Sequence, residues 1–149
     1  MRKSYKDVPI DKPNPLFPDK LRWEPMLAVR LGYRHARSPR TFAFVDSGSP
    51  YCLFPAAMAT MIGLDYTKNS VYIEEIGGIV RGMSESFYFH KISLYVETDW
   101  RIEVMAGFSK KLNASGILGR TGFFDAFKIT FDHSGHPPAF EIARISKAN

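Results

Sequence analysis

Apolar, β-branched and aromatic residues in this chain come in short runs, each closed by glycine, proline or a cluster of charges. The segments 26–33, 41–45, 51–54, 71–76, 84–97, 101–108, 128–131 and 139–145 all read as strands. Helical signals are confined to two places. Pro55 opens a brief helix over 56–62 with Gly63 at its end, and 121–127 suits one turn of helix. Gly77-Gly78 reads as the turn of a β-hairpin, with Arg81-Gly82 as the alternative position. Many short strands with almost no helix leave many edges to be paired, and a small domain commonly does so by closing on itself. The expected fold is mostly β: a small closed barrel with one or two short helices.

Composition narrows the class. The 149 residues suit one domain able to bury an ordinary core, and 45% hydrophobic against 23% charged residues argues for a globular chain. Residues 1–22 carry Pro9, Pro13, Pro15 and Pro18 among mixed charges and read as an extended arm without helix or ladder strand, which leaves 23–149 as the domain. The N-terminus has basic residues but no apolar core, and no run approaches a membrane span, so the expectation is a soluble, cytoplasmic protein without a membrane partner.

The net charge of +5 comes from scattered residues. The densest cluster, 34–40, has the charge to touch phosphate, but Ser-Pro lies inside it and strand-like runs flank it. A solvated turn is the expectation. No aromatics interleave with the charges as a single-strand binder requires, so no nucleic-acid partner is expected.

Other site chemistries find little to work with. The single cysteine, Cys52, sits among Tyr51, Leu53 and Phe54 and reads as a buried thiol. His133 and His136 share a turn, but His35 and His90 are distant and no second cysteine exists, so neither a metal nor another cofactor is expected. The glycines of 77–82 lack the Lys-Ser/Thr ending of a phosphate-binding loop, and no nucleophile elbow surrounds Ser47 or Ser49.

Asp46 remains. It ends the run Phe42-Ala43-Phe44-Val45 and precedes Ser47-Gly48-Ser49-Pro50 and a second apolar run. A carboxylate placed among apolar residues is expected to be buried, at a cost that something must compensate. The plain alternative is a turn aspartate bonding the amides that follow it.

A second element lies some seventy residues downstream, Ile117-Leu118-Gly119-Arg120. With a glycine-containing hairpin at Ile76-Gly77-Gly78-Ile79 between them, the order resembles the retropepsin-like aspartic proteases. That family runs from an apolar strand ending in Asp-Thr/Ser-Gly through a flap hairpin to two apolar residues and a glycine. A short helix and a strand follow, matched here by 123–127 and 128–131. The resemblance covers about residues 24–132, most of the chain.

The resemblance implies a homodimeric aspartic endopeptidase acting on extended peptide or protein substrates. Cleavage needs an acid and a base around one water, and this chain has a single Asp-Ser-Gly. The second carboxylate would be Asp46 of another copy, and the two would titrate as a coupled pair. By the same resemblance, Ser47 hydroxyls would bond across the dimer and Gly48 would permit the tight turn. Gly77, Gly78 and Ile79 would form the flap, while Ile117, Leu118 and Gly119 would pack beneath the catalytic loop.

Three features depart from viral members. Ser49 replaces a usual alanine, and its hydroxyl is expected to donate to Asp46 and favour activity at mildly acidic pH. Pro50 replaces an aspartate that pairs with the arginine matching Arg120, which leaves Arg120 without an evident partner. A further strand follows the expected end of the domain, so the dimer interface is expected to differ. The alternative function is a catalytically silent peptide-binding or assembly domain on the same fold.

Overall fold

In a computed structural model that describes residues 1–80, 83–97 and 100–146, the chain divides into two compact units. One combines Met1–Met26 with the segment from Ala126 onward, and the other spans Leu27–Asp125. Strand accounts for 53% of the residues and helix for 9%, so the fold is mostly β as expected.

The elements run in chain order as β1 (Arg2–Ser4), β2 (Lys6–Pro9), β3 (Leu21–Glu24), β4 (Met26–Tyr33), β5 (Ala36–Arg37) and β6 (Thr41–Val45). Then come β7 (Cys52–Pro55), helix α1 (Ala56–Met61), β8 (Tyr72–Val80), β9 (Met83–Val96) and β10 (Trp100–Ser109). The last are β11 (Ile117–Leu118), a kinked helical turn at Arg120–Phe124, β12 (Phe127–Asp132) and β13 (Ala139–Arg144).

The larger unit is a closed six-stranded barrel. Its strands follow the order β4-β6-β11-β7-β10-β9, and β9 returns to β4 with Val29 opposite Val96 and Leu31 opposite Leu94. Closure follows from alternation along the strands. In β10, Ile102, Val104, Ala106 and Phe108 are buried, while Arg101 and Glu103 face out. Leu31, Phe54, Leu94, Phe108 and Leu118 are almost fully buried, and each such side chain stabilises the fold by about 1.5–3 kcal/mol relative to exposure. The interior face of a barrel strand is only one of its two faces. In β6, Ala43 and Val45 are buried while Phe42 is 38% exposed.

The β8–β9 hairpin extends from the barrel, and its turn is not where the glycines suggest. Gly77 and Gly78 belong to β8, which runs on to pair Val80 with Met83. The ladder shifts register between Gly77 and Val80, so the glycine pair absorbs an irregularity within the strand instead of reversing the chain. Arg81 and Gly82, the alternative turn position, lie outside the described residues, as do Thr98 and Asp99.

The smaller unit corrects the reading of residues 1–22. β1 pairs with β13, which pairs with β12, and β2 forms a hairpin with β3. Pro9 closes β2 on a two-stranded ladder, where a missing amide is tolerated, and Pro13, Pro15 and Pro18 fall in the loop between β2 and β3. Tyr5 is buried, and its hydroxyl shares a 2.8 Å hydrogen bond with His133 Nε2. Asp132 accepts from the Ser134 hydroxyl at 2.6 Å, the Ser134 amide at 2.9 Å and Arg2 at 2.9 Å. The Ser134 bonds, with Arg2 adding to them, hold this carboxyl well below the usual range.

No helix among the described residues is long and apolar enough to cross a membrane.

Candidate active site

β6 ends at Val45, the chain turns through residues 46–51, and β7 leads away. β11 lies between these two strands, parallel to β6 and antiparallel to β7, with Ile117 opposite both Phe44 and Leu53. The two motifs seventy residues apart therefore meet. The Phe44 amide donates to Gly116 O at 2.9 Å, and the Asp46 amide donates to Leu118 O at 3.0 Å.

Past β11 the bonding turns onto the loop itself. The amides of Arg120 and Thr121 donate to Ser49 O and Pro50 O at 2.8 and 3.0 Å. Arg120 Nη1 donates to Ser47 O at 2.8 Å, which supplies the partner that the sequence did not reveal. Gly119 is required by proximity. A Cβ on it would stand 2.1 Å from Tyr51 O and 2.8 Å from Ser49 O. Leu118 and Gly119 thus meet the loop directly, while Ile117 pairs with the strands on either side.

Asp46 is exposed in the single chain, contrary to the burial expected from its neighbours. Apolar residues flank it in sequence, but they turn into the barrel while the loop emerges from it. Its Oδ1 accepts the Gly48 amide at 2.9 Å, and its carbonyl accepts the Ser49 amide at 3.2 Å. This is the geometry of a turn aspartate. It also fixes one carboxylate oxygen. Ser47 and Gly48 are exposed beside it.

Ser49 does not serve Asp46. Its hydroxyl donates to Tyr51 O at 2.8 Å and accepts the Tyr51 amide at 3.3 Å, because the turn brings that backbone nearer. The basis for a mildly acidic optimum through Ser49 is therefore lost.

The sequence reading missed Tyr51 and Glu74. Tyr51 is half-buried, with its ring edge-on to Phe89 at 5.0 Å. The nearby Glu74 carboxylate on β8, with desolvation adding to it, pushes the Tyr51 phenol up. Glu74 Oε2 is shielded from solvent and has no hydrogen-bond partner. Around this pair lies an apolar cluster of Leu53, Phe87, Phe89 and Leu112, with Ile76 and Ile117 packed on it. The available signal was strand phase, since Glu74 shares a face with Tyr72 and Ile76.

The expected flap residues lie just beyond Glu74. Gly77 has open space where a Cβ would stand, and Gly78 and Ile79 continue β8. Cys52 is buried, its Sγ is 3.6 Å from Thr121 O, and burial pushes its thiol up, away from the reactive thiolate. Among the described residues no group of three His, Cys, Asp or Glu side chains could hold a metal ion.

One exposed carboxylate on a tied-down loop can give or take a proton, but it cannot act as acid and base together. No protein-family model matches this chain, and no curated protein matches its sequence.

Proposed function

We propose that the protein is an aspartic endopeptidase of the retropepsin-like type, active as a homodimer in which each copy contributes Asp46. The observation that carries this reading is β11 threaded between β6 and β7. It gathers Ile117-Leu118-Gly119 against Asp46-Ser47-Gly48 and fixes the loop through five backbone or guanidinium hydrogen bonds from residues 44, 46, 120 and 121. A loop so constrained can present a carboxylate in one position, which proton transfer requires.

In the dimer one Asp46 carries a proton and the other is ionised. The ionised carboxylate takes a proton from a water whose oxygen bonds to the scissile carbonyl carbon. The protonated partner gives its proton to the carbonyl oxygen. The resulting diol returns one hydroxyl proton to the now ionised carboxylate as the carbon–nitrogen bond breaks. The other, protonated carboxyl passes its proton to the leaving nitrogen, which restores the starting pair. Two adjacent carboxylates favour sharing one proton over ionising together. No cofactor enters this sequence. The apolar surroundings of Leu53, Ile76 and Ile117 favour extended peptides with hydrophobic side chains.

The test is digestion of a diverse peptide library by the wild type and Asp46→Asn from pH 4 to pH 7, read by mass spectrometry, with sedimentation confirming the dimer. Cleavage present in the wild type and lost in the variant is the expected result. A dimer that cleaves nothing, or a variant that cleaves equally, refutes the reading.

A second reading, a silent peptide-binding or assembly domain, draws on two observations. Asp46 stands exposed in the single chain, and the terminal strands β1 and β13 pair with each other within it. On that reading the library is bound without being cut, and Asp46→Asn leaves binding unchanged.

A further inference from the structure

The barrel carries a second concentration of charge that the peptidase reading does not use. Arg30 on β4, Arg37 on β5, Arg40 before β6, and Tyr95 and Glu97 line an open cavity of about 260 Å³. Sheet register builds its floor. Tyr95 on β9 is opposite Arg30 on β4 and opposite Arg101 on β10, so the three form a row across neighbouring strands.

Aromatic contact then orients the cations. The Arg37 guanidinium sits 4.2 Å from the Tyr95 ring centroid, and that of Arg101 sits 5.9 Å from it. A ring face holds a guanidinium by cation–π attraction and leaves its edge N–H groups free to donate.

The charges do not cancel. Arg101 is matched by Glu103 at 2.9 Å. Arg40 lies 3.8 Å from Glu97, whose other oxygen accepts the Ala28 amide at 3.2 Å. Neither Arg30 nor Arg37 has a carboxylate partner among the described residues. The cavity wall therefore sets three guanidiniums against the single carboxylate of Glu97. Like charges converging on one space repel, and an anion placed between them removes the repulsion.

Size and shape choose the anion. The volume is below that of a pocket for a drug-sized molecule. The arginines approach from β4, from β5 and from the segment before β6, which suits a tetrahedral group with oxygens in several directions better than a planar carboxylate held by one fork. The Arg37 guanidinium already occupies the Tyr95 ring face it covers, where a base would otherwise stack, and the charges form a compact set, not a stripe. We propose that this cavity binds a single phosphoryl group, free or as a small monoester.

The test is a titration of the full-length protein, isotopically labelled at arginine side chains, followed by NMR of the guanidinium resonances. Inorganic phosphate, glycerol phosphate and acetate are compared at constant ionic strength. Both phosphates are expected to give saturable shifts at Arg30 and Arg37, while acetate binds about tenfold more weakly or not at all. Tighter binding of glycerol phosphate identifies the monoester as the occupant, and equal or tighter binding of inorganic phosphate identifies the free anion. Arg30→Ala with Arg37→Ala should weaken phosphate binding at least about tenfold, and Arg37→Lys should weaken it several-fold while keeping the charge. Arg22→Ala, on β3, should leave it unchanged. Asp46→Asn should also bind phosphate normally, which separates this site from the peptidase reading. Absent saturation, equal response to acetate, or undiminished binding by folded Arg30 and Arg37 variants overturns the proposal.

Discussion

Gly119→Ala isolates the contact between β11 and the Asp46 loop. Gly119 has φ −101° and ψ −176°, extended backbone that alanine adopts without strain. The new methyl group would lie 2.1 Å from Tyr51 O, 2.5 Å from Tyr51 C and 2.8 Å from Ser49 O. All three are backbone atoms, so no side chain can swing aside. Restoring a tolerable contact requires the two backbones to part by about 1 Å, and overpacking of this kind costs about 1–3 kcal/mol. The same movement breaks the bonds from the Arg120 and Thr121 amides to Ser49 O and Pro50 O. Their loss adds about 1 kcal/mol each. Replacing glycine also restricts the unfolded chain, which returns about 0.4–1 kcal/mol. The net loss is about 3 kcal/mol, or a fall of about 1.5 M in urea midpoint at a slope near 2 kcal/mol per M. Gly77→Ala is the control, because nothing stands within 4 Å of its Cβ position. Equal midpoints for Gly119→Ala and Gly77→Ala would refute the claim that close backbone contact holds the loop.

Asp132→Asn should change acid stability. The native carboxyl is held below its unfolded value, so its contribution is present above about pH 4 and is lost as pH falls through the folded value. Urea midpoints should differ between wild type and variant at pH 7 and converge towards pH 2; a constant gap refutes this. Tyr51→Phe keeps the ring against Phe89 but removes the hydroxyl beside Glu74. Hydrogen exchange at residues 72–76 should quicken about tenfold, and unchanged exchange would show that the hairpin is not tied through Tyr51. Because the Tyr51 phenol is raised, its contribution is present below about pH 10 and declines as pH climbs through the folded value, a decline the variant should lack.

The strands of the barrel were legible because burial imposes a period of two, clear in the first part of β10, and turns interrupt it. The N-terminal strands were not. β1 is half exposed, polar and defined by pairing with residues 139–141, so no local pattern announces it. Gly77-Gly78 carried a real signal with two outcomes, turn or irregular strand, and only the ladder with β9 separates them. Asp46 and the 117–119 segment stood out in sequence, yet the exposure of Asp46 did not, since chain neighbours do not report which way a loop leaves a barrel. Arg120 and Ser49 bond to backbone carbonyls, and a carbonyl is common to every residue type. The arginines of 34–40 read as a solvated turn because Arg30 and Tyr95 join them only through strand register.

The insertion of β11 between β6 and β7 also sets an order of events during synthesis. β6 and β7 leave the ribosome with a gap between them, and the segment that fills it follows some seventy residues later. Until Thr121 has emerged, the carbonyls of Ser47, Ser49 and Pro50 lack their donors and Asp46 sits on an unfinished turn. A nascent chain therefore cannot hold the Asp46 loop in its assembled position before residue 121 has been made. The assembled loop arrives only after residues 117–121 are available.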